Sequence, residues 1–267
     1  PFDMSEEDLR NRIKNKMIRP TTIPQTLKEL IVEQALSREA LRLAFEQHKA
    51  LAVGLKGVQQ VRSISDSFKQ SESGQTLIDM KKLDLLIGSG GVLSHAPRRV
   101  QSMLMMIDAF QTEGITRLAV DSIFMMPHLG VLAEVNDTAA TQVFEKDCLI
   151  NLGTCVAVSG TGKPQQKCFD YKLEIEGTAT IEGSLTFGDF VLHPLPLEAN
   201  ATIEIRPEKG FDAGSGAGKT FLGKVTGGLV GVIIDARGRP LTLSSNKTER
   251  VAKLSKWNEI LSMYPKI

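Results

Sequence analysis

Leu83-Asp84-Leu85-Leu86-Ile87-Gly88-Ser89-Gly90-Gly91 is the stretch whose reading decides the fold. A short apolar run ends in a glycine turn. Pro97 opens a new segment beyond it, where Val100, Met103, Leu104 and Ile107 recur at i, i+3, i+4, i+7. That period lines one face of a helix. The stretch predicts strand, glycine loop, helix. Lacking Cβ atoms, glycines let the backbone approach a ligand and turn N–H groups toward it. A helix N-terminus adds positive dipole character. Such a turn lets a nucleotide pack its base or sugar on Gly88 to Gly91. The plainer reading is that these glycines only solve a tight strand-to-helix turn.

Working outward, a second apolar run, Thr116 to Val120, ends at Asp121, which reads as a ligand or, preferably, a helix cap. Pro127 to Val135 and Thr138 to Asp147 read as two helices. Upstream, Ser5-Glu6-Glu7-Asp8 has capping-box form before Leu9, Ile13 and Met17, so a short amphipathic helix is expected. Pro20 and Pro24 break it. A second capping box, Thr26-Leu27-Lys28-Glu29, opens a long helix running to about Val53, with Leu41, Ala44 and Phe45 on its apolar face and Gly54 as its stop. Residues 54–80 are polar and serine-rich, and read as loops with a marginal helix.

Near residue 148 the texture changes. Tyr171 to Ile175 and Ala201 to Ile205 alternate with period two, and glycines punctuate the chain between them and beyond. Short strands with frequent turns predict a small barrel or sandwich. Thr248 to Tyr264 returns to helix, with Val251, Leu254, Trp257 and Leu261 as its packing face. The expected organisation is therefore an α/β part over 1–147 and a β-rich part over 148–267 that ends in a helix.

Composition narrows the function classes. With 32 Lys+Arg against 31 Asp+Glu, the 267-residue chain carries a formal net charge of +1, without the electrostatic footprint of a general nucleic-acid binder. No run approaches the length of a membrane span, and no signal peptide is recognised. Three cysteines, Cys148, Cys155 and Cys168, read as free thiols of a reducing compartment, the cytoplasm, and not as a disulfide framework or zinc site.

Ala213-Gly214-Ser215-Gly216-Ala217-Gly218-Lys219-Thr220 satisfies a relaxed P-loop pattern, and Val232-Ile233-Ile234-Asp235 imitates a magnesium-binding strand. A P-loop must open a helix. Here Gly223, Gly227 and Gly228 follow at once, so a glycine-rich loop in a β region is expected. His48, His95, His128 and His193 are scattered and compose neither a metal site nor a triad. Arg98, Arg99, Arg237 and Arg239 could meet phosphate or partner carboxylates, with solvated surface as the default reading. The Met103, Met105, Met106, Met125, Met126 group reads as core. No catalytic residue and no metal ligand is assigned.

Leu85 to Leu93, followed by a helix and then by Leu118-Ala119-Val120-Asp121-Ser122-Ile123-Phe124-Met125-Met126-Pro127-His128-Leu129-Gly130-Val131-Leu132-Ala133, resembles the C-terminal part of the glutamate mutase L family. These accessory proteins of coenzyme-B12-dependent mutases are unrelated to the mismatch-repair protein of similar name. The resemblance covers roughly residues 25–147 and implies the C-terminal lobe portion of an actin-like ATPase fold. It places Gly88, Gly90 and Gly91, with Ser89 and Val92 beside them, on the adenosine side of a cleft for ATP or ADP with Mg. The Asp-Gly-Thr phosphate loop of such ATPases has no counterpart here. Together with the opening Pro1-Phe2-Asp3, which lacks an initiator Met, this implies an N-terminal lobe of the same protein outside this chain. The implied partners are that lobe and a B12-dependent mutase, with neither nucleic acid nor membrane. This chain by itself is expected to be inactive. The alternative is a non-catalytic protein- or ligand-binding module built on a vestigial ATPase lobe.

Overall fold

The computed structural model describes residues 4–52, 77–178 and 180–265. Helix α1 (Glu6–Ile18) starts where the Ser5 hydroxyl accepts the Asp8 N–H at 3.0 Å. Its expected apolar stripe does not enter the core, since α1 has no buried residue and Met17 remains 76% exposed. Helix α2 (Leu27–Leu51) carries the predicted capping box, Thr26 and Glu29 bonding reciprocally. Val53 and Gly54, its expected end, lie outside the described residues, as does 54–76 of the serine-rich stretch. Of the rest of that stretch, Met80–Lys82 forms one 3-10 turn.

Strand β1 (Leu85–Gly88), short helix α3 (Gly91–Ser94) and helix α4 (Arg99–Phe110) reproduce the predicted strand, loop and helix, with an additional turn of helix inside the loop. Strand β2 (Gly114–Asp121) leads into α5 (Met126–Val143). Helix α5 is broken at Asn136, whose side chain accepts the Ala139 N–H and restarts the helix. Two helices were expected here, and the break separates them. A turn of π-helix, Phe144–Cys148, then enters β3 (Leu149–Ala157). The later strands are β4 (Lys167–Ile175), β5 (Thr180–Thr186), β6 (Phe190–His193), β7 (Asn200–Pro207), β8 (Phe221–Thr226) and β9 (Gly231–Asp235), followed by helix α6 (Lys247–Leu261).

Two sheets form. One has the order β1-β2-β3-β9-β6, parallel between β1 and β2 and between β3 and β9, and antiparallel elsewhere. The other, β5-β4-β7-β8, is antiparallel throughout. Side chains alternate across the first sheet. Cys155, Ala157 and Ile233 join Met103, Ile107, Trp257 and Leu261 in a core beneath the helices. Val156, Val232 and Ile234 join Phe169, Leu173, Ile203 and Ile205 in a second core between the sheets. The result is three layers, with helices, a mixed sheet and an antiparallel sheet stacked in that order. Strand β9 is buried along its whole length, as a strand covered on both faces should be.

This mixed α+β architecture ends in a C-terminal helix as expected, and the β-rich region is a sandwich without barrel closure. The change of texture near 148 is not a boundary between sheets, however. Strand β3 pairs directly with β2, and the helical core draws on both sides of that point. Alternation marks a segment as a strand but does not specify its partner, which long-range pairing decides. On α6, Trp257 and Leu261 are buried, but Val251 and Leu254 stay about two-fifths exposed. Among the described residues no helix is long and apolar enough to cross a membrane.

Candidate functional site

Gly88 ends β1 in a buried position where a Cβ would lie 2.8 Å from Met106 Sδ and 2.9 Å from Leu93 Cδ1. Its role is packing of the strand against α3 and α4. Gly90 stands at φ +100°, a conformation that favours glycine, and its carbonyl accepts the first bonds of α3 from Leu93 and Ser94. Gly91 has neither constraint. A Cβ there would meet nothing within 4 Å, and the same holds over Gly90. The loop therefore presents bare, open backbone to the outside, with Val92 half-buried beside it.

Asp121 organises the other wall. It is fully buried at the end of β2, and its carboxylate accepts N–H groups from Ile123 at 3.3 Å, Met125 at 3.1 Å and Met126 at 3.0 Å. The Ser89 hydroxyl donates to the same carboxylate at 3.3 Å, and the Ser94 hydroxyl donates to the Asp121 carbonyl. Burial pushes this carboxyl upward, but the bonds from Met126, Met125, Ile123 and Ser89 outweigh it and hold the group below the usual carboxylate range. Asp121 thus caps the start of α5 from outside the N-cap position, which Met125 occupies, and ties that helix to the glycine loop. Between its anchored neighbours Phe124 is held at φ +59°, a strained setting for a bulky side chain, and is 54% exposed. Asp121→Ala leaves three backbone donors without their acceptor, and should cost about 2 kcal/mol in urea unfolding. An unchanged midpoint would contradict the capping role.

The sequence-marked residues divide clearly. Gly88, Ser89, Gly90, Gly91 and Val92 lie at and beyond the C-terminal edge of the parallel pair β1–β2, where Ser89 bonds the Asp121 carboxylate and Ser94 the Asp121 carbonyl. The contribution of Ser94 was not read from the sequence, because a lone serine in a turn carries no signal until its partner is known. The P-loop lookalike is elsewhere, between β7 and β8. Gly214 and Gly216 turn their N–H groups onto the chain's own Asp212 at 2.7 and 2.8 Å, and β8 follows with no helix. Arg237 and Arg239, expected at the surface, are buried with side-chain exposures of 0% and 3%. Each is taken up by Asp235, and Arg237 also by Asp108, which compensates the loss of hydration.

A Cβ at Gly90 or Gly91 would be unobstructed, and the Ser89 hydroxyl beside them already donates to Asp121. Among the described residues no group of three or more His, Cys, Asp or Glu side chains could hold a metal ion, and the Asp121 carboxylate is already engaged by backbone donors. The three cysteines are free and buried. Burial pushes the Cys155 and Cys168 thiols up to about 12, so neither is a nucleophile at neutral pH.

A family model described as MutL protein matches residues 2–148, more than half of the chain and the whole of the glycine loop with its Asp121 tie. No curated protein and no solved structure matches.

Proposed function

The chain belongs to the MutL family, the glutamate mutase L accessory proteins of B12-dependent mutases, and from this premise we propose that its Gly88–Val92 loop binds the adenosine of ATP or ADP. The observation that carries this reading is the unobstructed backbone over Gly90 and Gly91, held in place by Ser89 and Asp121. Backbone without Cβ atoms lets a base or sugar lie against the chain, and the ordered tie to Asp121 means little rearrangement is needed on binding. In this reading a second lobe supplies the phosphate and magnesium groups, since phosphoryl transfer depends on positioned cations and donors. This chain then holds one side of the cleft without turning over nucleotide. Nucleotide-dependent closure would be passed to a mutase partner in the cytoplasm, where three unpaired thiols are at home.

Gly91→Val separates the ligand from the fold. Because a Cβ at this exposed position meets nothing within 4 Å and the backbone φ there is not positive, the melting temperature should change little. Calorimetric affinity for ADP should fall at least about tenfold, the cost of a blocked contact face. Natural protein that binds neither ATP, ADP nor adenosine overturns the proposal, as does an affinity indifferent to this substitution.

A second reading has its own support. Helix α5 exposes Val131 at 73% and Val135 at 87%, beside the exposed Phe124. An apolar stripe of this kind marks interaction surfaces. It suits a protein-binding module whose ATPase lobe is vestigial, and such a module would show no nucleotide affinity in the same titration.

A further inference from the structure

The helical layer contains a cavity of about 730 Å³ between α2, α4 and α6, within the size range of small-molecule sites. Its walls are mostly apolar, among them Leu104, Leu241, Leu254, Trp257 and Met263. One cationic group in the wall is poorly satisfied. Arg38 Nε lies 3.2 Å from Asp108 Oδ2 as an ion pair, yet it is buried without a hydrogen bond. Its Nη2 donates to the Met263 thioether at 3.6 Å, a weak acceptor, and the guanidinium also interacts with the neutral Tyr264 hydroxyl.

The charges behind Arg38 do not relieve it. Asp108 also accepts from Arg237 at 2.8 Å, and Asp235 is shared between Arg237 and Arg239. Among the described residues this connected chain holds three guanidinium groups and two carboxylates, and its members that line the cavity are Arg38 and Asp108, the latter carboxylate shared with the fully buried Arg237. At the rim Glu39 is engaged by Arg42 at 2.9 Å, and Glu259 stands exposed at the mouth, where water and salt screen it.

We propose that this cavity binds an amphiphilic monocarboxylate, with its alkyl chain along Leu104, Leu241 and Leu254 and its carboxylate on Arg38. An anionic oxygen supplies the strong acceptor that Nε lacks and neutralises the surplus positive charge, while the chain replaces water on apolar walls. This site is separate from the glycine loop and does not depend on nucleotide binding.

Trp257 is the only tryptophan and lines the cavity, with its indole N–H fixed to the Gly188 carbonyl at 3.0 Å, so its emission reports occupancy. The test titrates the full chain with sodium decanoate below its micelle concentration, then with decan-1-ol and decyltrimethylammonium. A saturable emission change with decanoate is expected, with decanol at least about tenfold weaker, as befits one lost charge-assisted hydrogen bond. Arg38→Gln should weaken decanoate by a similar factor and leave decanol unmoved, and Arg38→Lys should fall between. Should Arg38→Gln fail to fold, the three headgroups on the natural chain still decide. Absence of saturation with decanoate, equal affinity for decanol, or tighter binding of the cation each overturns the proposal.

Discussion

Gly153→Ala is expected to cost more than about 4 kcal/mol, enough to remove most of the stability of an ordinary domain. Gly153 sits in the middle of the five-stranded sheet, at the point where β2 and β3 shift register between Leu118 and Ala119. Across from it, in the parallel pairing with β9, stands Gly231. A Cβ on Gly153 would lie 1.9 Å from the Gly231 carbonyl oxygen and 2.8 Å from its carbonyl carbon. The obstacle is backbone, which cannot rotate away as a side chain can. Relief would require parting β3 from β9, the seam that carries both cores. The residue also stands at φ +136°, which adds strain for any side chain. Gly177→Ala is the control. At φ +74° with nothing within 4 Å of its Cβ, it should cost only about 1 to 2 kcal/mol. Urea denaturation of both variants checks the difference, and similar losses would mean that backbone conformation, not the clash, sets the cost.

Asp235→Asn is expected to lose about 3 to 5 kcal/mol, the effect of leaving buried charge without its counterion. Asp235 is fully buried and accepts Arg237 Nη2 at 2.8 Å and Arg239 Nη2 at 3.0 Å. The Arg237 guanidinium is further enclosed by the rings of Phe190 and Trp257, at 5.0 and 4.8 Å. It has nowhere to find water when the carboxylate is gone. Replacing Asp235, Arg237 and Arg239 together by leucine should recover much of the loss, because the desolvated charges vanish with their partner. Acid provides an independent check. Burial raises the Asp235 carboxyl, but Arg237 and Arg239 outweigh it and hold it far below the usual range. The unfolded chain therefore takes up this proton first as pH falls, and the stabilisation, complete at neutral pH, is lost from about pH 5 downward. A natural protein and an Asp235→Asn variant with equal acid sensitivity would contradict this account.

The local elements were legible because they rest on short-range rules. The apolar run before Gly88, the period of Val100 to Ile107 and the Thr26–Glu29 capping box each report the preference of a few neighbouring residues. The break at Asn136 falls in the gap between the two helices expected over Pro127 to Val135 and Thr138 to Asp147. The candidate loop was legible for the same reason, since glycines after an apolar run have few explanations. Two of its features were not. Which glycine packs, which one bends and which one leaves open space depends on side chains such as Met106 that arrive from another helix. That Asp121 caps α5 and also holds Ser89 depends on a parallel pairing of β1 with β2 across thirty residues of chain, roughly the span of a βα unit.

The sequence by itself determined the kinds of element, the position of the glycine loop and the family that shares it, all of which depend on residues close along the chain. Only the tertiary structure decided that β3, β9 and β6 complete the sheet begun by β1 and β2, and so join the two textures on either side of residue 148 in one core. The same decision carried Arg237 and Arg239 inside. An arginine in a turn reads as solvated surface until the fold brings carboxylates to it, here Asp235 from its own strand end and Asp108 from α4. Pairing partners and counterions are long-range choices, made by the total burial that one packing achieves over its rivals.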